Sequence, residues 1–329
     1  MITPDLVPAA MVAAAIAPAL LLLWLMVAAD SRPEPPRVVL TALVLGAASA
    51  IVAAAVELIS QRYVPLSRNP WLAADETALF FAAIPEEVIK ISIIALIARR
   101  RRDFDEPMDG VVYGTAVGLG FAALENILYV VGSAGAWGGV AVMRGILSVP
   151  FHGALGAIAG AYIARAHFGA LGMHHSGRWR RPRLLVLAWL VPIVLHTGFD
   201  APLFSLKHAS AGTGAGVLAI LAMLLIVAVV GFGAIIFAAL KARRIAQRQK
   251  AWLSTKRLSP VHWRNMWAEC LIGIGLSFVG LTLVIAGNSG GKLAGAIMMA
   301  VAAGLSWRCG KILNETAKSR HPAPAAATP

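Results

Sequence analysis

Pro85-Glu86-Glu87-Val88-Ile89-Lys90 places two adjacent carboxylates and a lysine inside an apolar stretch that runs from about Leu79 to Ala98. Ionised side chains at membrane depth cost on the order of 2.5–3.5 kcal/mol each even on the mildest insertion scale, so such groups are functional candidates by default. On a helix Lys90 stands four residues after Glu86 and three after Glu87, and can face either. One carboxylate can then stay ionised beside the lysine while the other is free to exchange a proton. Three readings fit the pair: an ion pair that locks helix packing, a proton relay, or the acid/base part of a hydrolytic site. Two glutamates against one lysine leave a charge that packing alone does not explain.

Three further polar sites lie on separate apolar segments. Phe121-Ala122-Ala123-Leu124-Glu125-Asn126 follows Gly114, Gly118 and Gly120, small residues that admit a neighbouring helix closely. Glu125 and Asn126 are thereby turned toward protein rather than lipid; an interhelical hydrogen bond from Asn126 is the bland alternative. His152 follows Pro150, and Gly156 and Gly160 share its stripe. A lone histidine is more often a satisfied core residue than a ligand. His196-Thr197-Gly198-Phe199-Asp200 alters that balance, because a histidine and an aspartate at i and i+4 share one face, as a metal ligand with a carboxylate neighbour requires. Two histidines, several carboxylates and no thiolate suit Zn²⁺ in an open catalytic site.

These residues need a scaffold, and composition says which kind. The chain of 329 residues is 59% hydrophobic and 14% charged with a mean hydropathy of +0.75, far from the balance of a water-soluble domain. Segments long enough to span a hydrocarbon layer fall near 8–29, 38–59, 74–98, 109–131, 140–165, 184–205, 214–240, 267–287 and 291–308. The expected fold is therefore all-α, a polytopic transmembrane helix bundle of about nine spans. The first segment lacks a basic stretch ahead of it and reads as a retained helix rather than a cleaved leader.

Of the 29 Lys and Arg residues, 23 fall in alternate loops on one side. The positive-inside rule then puts the N-terminus outside and the C-terminus in the cytoplasm. The net charge of +13 follows from that topology and from anionic headgroups, not from nucleic acid, since no basic run is interleaved with stacking aromatics. Cys270 and Cys309 lack CxxC spacing and read as small apolar fillers. Counted along the spans at about 1.5 Å per residue, Glu86, His152 and His196 share mid-span depth, with Glu125 and Asp200 slightly toward the outer face. Pro85, Pro150 and Pro192 precede three of the four polar groups and loosen the turn there, which suits a water-accessible cavity.

Taken in order, Glu86 to Lys90, Met108 to Gly114, Gly118 to Tyr129, Arg144 with Pro150-Phe151-His152, and His196 to Asp200 resemble the PrsW family of intramembrane proteases. That family sits in a wider superfamily with the CAAX prenyl endopeptidases, whose middle signature is Phe-xxx-His; here it reads Phe121-xxx-Glu125. The resemblance covers about 75–205 closely and extends over 1–240. It implies a peptidase in the bacterial cytoplasmic membrane that cuts single-pass membrane proteins, anti-sigma factors among them. By position Glu86 and Glu87 match the catalytic glutamates and His196 the essential histidine, with His152 and Glu125 as further matches.

On this reading a glutamate of the pair activates water held by His152 and His196, with or without Zn²⁺, and His152, His196 and Glu125 form the expected metal set. Lys90, Asn126 and Asp200 support them, Asn126 as a candidate oxyanion donor. The sequence does not separate Glu86 from Glu87 as base. Two other classes stay open: a proton-coupled transporter or channel, and a non-catalytic scaffold of the same superfamily. No second copy of the Glu-Glu element speaks for a transporter repeat, and no signature position is lost as in a scaffold. The expected organisation is a protease core at 1–240, a basic cytoplasmic linker at 241–266, two additional membrane helices at 267–308 and a cytoplasmic tail at 309–329, disordered toward its Ala/Pro-rich end.

Overall fold

A computed structural model describes residues 7–30, 34–100, 103–168, 182–206 and 214–253. The last two expected spans and the tail lie outside the described residues. Every described element is helical: α1 (Val7–Ala29), α2 (Pro36–Tyr63), α3 (Pro70–Glu76), α4 (Ile84–Arg100), α5 (Pro107–Gly132), α6 (Trp137–Ile146), α7 (Ser148–Phe168), α8 (Pro182–Ser205) and α9 (Gly214–Leu253). Six stretches are long and apolar enough to cross a membrane: Val7–Ala29, Pro36–Tyr63, Pro107–Gly132, Trp137–Phe168, Pro182–Ser205 and Gly216–Gln247. The expected span at 74–98 is helical but too charged to count by hydropathy, because it carries the Glu-Glu-Lys element.

Helix α5 is the axis of the bundle, packed against α1, α2, α4, α6 and α7, and its residues from Met108 to Ala122 are all buried. Its most extensive partner is α7. Lipid-soluble helices gain little from hydrophobic burial against one another, so close backbone approach must hold the pair. Gly110, Gly114 and Gly118 face Gly160, Gly156 and His152, and a Cβ on any of these three α5 glycines would come within 3.0 Å of a facing carbonyl. Gly114→Val is expected to lower stability by at least the roughly 1–3 kcal/mol typical of overpacking. Denaturation in detergent checks this, and an unchanged midpoint would mean that the helices do not pack this closely.

Two irregularities position the site. Between α3 and α4 the chain makes a π-helical stretch, Thr77–Ala83, and the Ile84 N–H reaches back five residues to the Leu79 carbonyl. Pro85 supplies the reason, since it has no N–H to give to Phe81 and its ring crowds that carbonyl. The expected fifth span is likewise divided into α6 and α7 at Leu147, three residues ahead of Pro150. The expected seventh span continues as helix past Leu240 to Leu253.

At the start of α5, Asp109 accepts from the Glu106 amide at 2.7 Å and from the Asp105 amide at 2.8 Å. The Tyr113 hydroxyl donates to Glu34, tying the α1–α2 connection to α5. Burial, then the nearby Asp105 and Asp103, push the Glu34 carboxyl above its usual range against the opposing hydrogen bonds of Tyr113 and Asp109. The folded state thus holds this proton more tightly than the unfolded chain. The associated stability is present below the unfolded value of 4.5 and is lost as pH rises through the folded one. Glu34→Gln is expected to gain on the parent protein in melting temperature as pH rises from 4.5; a constant difference would exclude the effect.

Candidate active site

The polar groups that four separate segments contribute meet in one cluster. Glu86, Glu87 and Lys90 come from the first turns of α4, Glu125 and Asn126 from α5, His152 from α7, and His196 and Asp200 from α8. Phe151 stacks on Phe199 at 4.3 Å between ring centroids and closes the wall between the two histidine helices. The imidazoles of His152 and His196 stand edge to face at 5.2 Å.

Lys90 is the centre of the cluster and is 2% exposed. Its ammonium lies 2.6 Å from Glu87 Oε1, 3.5 Å from Glu86 Oε2 and 3.1 Å from His152 Nδ1. The Phe121 ring, 4.1 Å away, covers it with a π face. Because an ammonium only donates, His152 Nδ1 must accept and its Nε2–H donates to Glu125 Oε2 at 3.1 Å. His152 is thereby held neutral in a single tautomer. His196 is flanked by carboxylates on both nitrogens, with Glu87 Oε1 at 2.8 Å from Nδ1 and Asp200 Oδ2 at 3.2 Å from Nε2. Glu86 Oε2 is 3.8 Å from the same Nε2.

The two glutamates are therefore not equivalent. Glu87 is 1% exposed and bound at short range by both Lys90 and His196, whereas Glu86 has, among the described residues, only long contacts and a side chain 12% exposed. Asp200 and Glu125 share that partly open edge at 16% and 18%. Glu86, Asp200 and Glu125 form the more exposed side of the cluster, and Glu87 and Lys90 its buried floor.

Sequence reasoning quoted Arg144 in a motif and gave it no role. Here it donates to Glu125 Oε2 at 2.5 Å, to Asn126 Oδ1 at 2.8 Å and to Ser148 Oγ at 3.0 Å, and its guanidinium lies over Tyr129 at 3.9 Å. The missing signal was spacing: 18 residues separate Arg144 from Asn126, and the reversal of the chain between α5 and α6 brings them together. Asn126, expected as an oxyanion donor, is fully buried and gives its amide N–H to the Ala15 carbonyl at 3.4 Å. It ties α1 to the wall instead.

Arg144 meets Glu125, which in turn meets His152, so its expected role is that of a positioning residue. Arg144→Met is expected to lower the rate about 10-fold to 100-fold, the range found when an outer partner of a functional histidine is lost. Partial rescue by Arg144→Lys, with unchanged melting, separates this role from a structural one. Full activity in Arg144→Met would show that Glu125 needs no counter-charge.

One ligand atom from each of Glu86, Glu87, His152 and His196 lies within 4.8 Å of the others. Two imidazoles and two carboxylates without a thiolate fit Zn²⁺ chemistry. Glu125, expected among the ligands, is absent from this donor group and orients His152 from behind, as outer-shell carboxylates do. Four carboxylates against Lys90 and Arg144 leave two excess negative charges, which protons or a divalent cation can balance. Among the described residues a second donor group, Asp30, Glu106 and Asp109, is all carboxylate and far along α5 from this cluster.

A family profile described as PrsW family intramembrane metalloprotease matches residues 34–251. The chain belongs to the PrsW family. It is 33% identical over 202 residues to Protease PrsW of Bacillus subtilis (strain 168), covering 60% of this chain and 85% of the relative. Protease PrsW of Oceanobacillus iheyensis is 30% identical over 200 residues, 61% of this chain and 84% of the relative. Protease PrsW of Geobacillus kaustophilus (strain HTA426) is 35% identical over 125 residues, 37% of this chain and 50% of the relative. No solved structure matches the chain. The protein is thus an integral membrane hydrolase of the PrsW intramembrane protease class. All four segments of the cluster lie inside the matched region, so the PrsW core contains the entire candidate site.

Proposed function

We propose that the protein hydrolyses peptide bonds of single-pass membrane proteins with Glu86 as the water-activating base. The observation that carries this assignment is the asymmetry of the pair: Glu87 is bound by Lys90 and His196, and Glu86 is the carboxylate left at the open edge. Glu86 takes a proton from the attacking water as its oxygen bonds to the scissile carbonyl carbon, and returns that proton to the departing amine. His196, held between Glu87 and Asp200, is oriented to donate to the carbonyl oxygen as negative charge develops there. Glu125 and Arg144 fix His152, and Lys90 keeps Glu87 ionised beneath the reacting atoms.

The donor set supports Zn²⁺ held by Glu87, His152 and His196, which when bound would polarise the carbonyl and acidify the water. Two of those donors, Glu87 Oε1 and His152 Nδ1, are the atoms that Lys90 now occupies. The distribution of basic residues supports an N-terminus outside and a C-terminus in the cytoplasm, as expected of a protein of the bacterial cytoplasmic membrane. The family match over residues 34–251 supports the greater part of a 1–240 core, with 267–308 as an addition to it, and the substrate on this reading is anti-sigma-factor-like.

The test is cleavage of a single-pass helix in liposomes by purified protein, with elemental analysis of the same sample. Site-specific cleavage lost in Glu86→Gln supports the proposal. Intact substrate together with proton flux across the liposome would favour a relay.

A further inference from the structure

Helices α7 and α9 bring three cations together away from the catalytic cluster. Arg165 lies in the last turn of α7, and Lys241 and Arg244 lie on α9 where its apolar run ends. The Lys241 ammonium sits over the Tyr162 ring, 3.2 Å from its centroid, with the Phe237 ring at 4.6 Å. Lys241 Nζ and Arg165 Nε are shielded from solvent, and among the described residues no hydrogen-bond acceptor meets either atom. Arg165 and Arg244 are close enough to repel Lys241.

An ammonium carries three donors and a guanidinium five, and aromatic faces satisfy only part of that demand. Between Asn126 and Ala268 the sequence contains a single acid, Asp200, which serves His196. Glu34 before α2, and Asp103, Asp105, Glu106 and Asp109 around the start of α5, give neither the Lys241 Nζ nor the Arg165 Nε atom a hydrogen bond. An anion is the missing partner. The depth is that of a headgroup, since the exposed Ile236, Phe237 and Leu240 lie just before Lys241, and Arg243 and Arg244 just after.

We propose that Arg165, Lys241 and Arg244 bind the phosphodiester of an anionic phospholipid at the seam of α7 and α9. The guanidinium fork of Arg165 supplies planar recognition of phosphate, Lys241 a point charge, and the apolar flank of α9 a track for an acyl chain. The bound lipid clamps α9 onto the helix that carries His152.

Native mass spectrometry and melting of the full chain, carried in phosphatidylcholine or phosphatidylglycerol, test this. The protein is expected to retain phosphatidylglycerol through delipidation and to melt higher with it. Lys241→Met and the exposed Arg244→Gln are each expected to weaken retention about fivefold, the share of one basic residue at an anionic surface. Arg244→Gln keeps the test open should Lys241→Met fail to fold. Equal retention by Arg244→Gln and the parent protein would overturn the site. A melting shift produced equally by inorganic phosphate in detergent would overturn the lipid as its source.

Discussion

Glu86→Gln is expected to reduce peptide-bond cleavage by about 10²-fold to 10⁴-fold, the usual contribution of a positioned general base. Its melting temperature should stay near that of the parent, because Glu86 makes only 3.5 Å and 3.8 Å contacts and sits at the open edge. Glu87→Gln is expected to fail differently. That carboxylate is the shared anchor of Lys90 and His196, so its loss leaves a buried ammonium without its main counter-charge. Rate and melting temperature should then fall together. Parallel measurement of cleavage and thermal denaturation in both variants separates base from anchor. If Glu87→Gln lost only rate and Glu86→Gln lost stability, the two roles would be reversed.

Lys90→Met is expected to have the largest effect on stability. Removing one partner of a buried ion pair costs about 3–5 kcal/mol, because the other charge stays buried and uncompensated. Here the residue left behind is Glu87 at 1% exposure, with His152 Nδ1 losing its donor as well. Lys90→Met with Glu87→Gln should recover much of that loss, which a double-mutant cycle reads directly. The single variant also exposes the donor atoms that Lys90 holds. Added Zn²⁺ is therefore expected to raise its melting temperature more than that of the parent protein, with stoichiometric metal by elemental analysis. Stability restored in the double variant without any zinc response would assign the cluster to metal-free chemistry. A single variant as stable as the parent would overturn the central role of Lys90.

Much of this site was legible from residue type because ionisable groups are so unfavourable in apolar helices that each one stands out. Glu86, Glu87, Lys90, Glu125, His152, His196 and Asp200 all meet in the structure. The glycines of α5 and α7 were legible for a related reason, since spaced small residues in a span imply a close neighbour. Arg144 was harder to place. An arginine near a helix end is ordinarily read as an interfacial residue, and its partners on α5 are reached only because the chain reverses between α5 and α6. Asn126 was misplaced in role because its amide has equal claims on a substrate and on a wall, and Ala15 of α1 is distant in sequence.

By itself the sequence determined the all-helical class, the membrane setting and the set of ionisable groups that converge in one cluster. Apolar length, charge and proline placement are local properties, and the energetic constraint of the bilayer acts on each segment separately. The tertiary structure decided which glutamate is held and which is left open, that Glu125 stands behind His152, and that Arg144 belongs to the site. Those outcomes depend on distances of 2.5–3.8 Å between α4, α5, α6, α7 and α8. Such distances are set by how closely the glycine-lined α5 and α7 pack and by the turns that Pro85 and Pro150 displace, and no single segment contains that information.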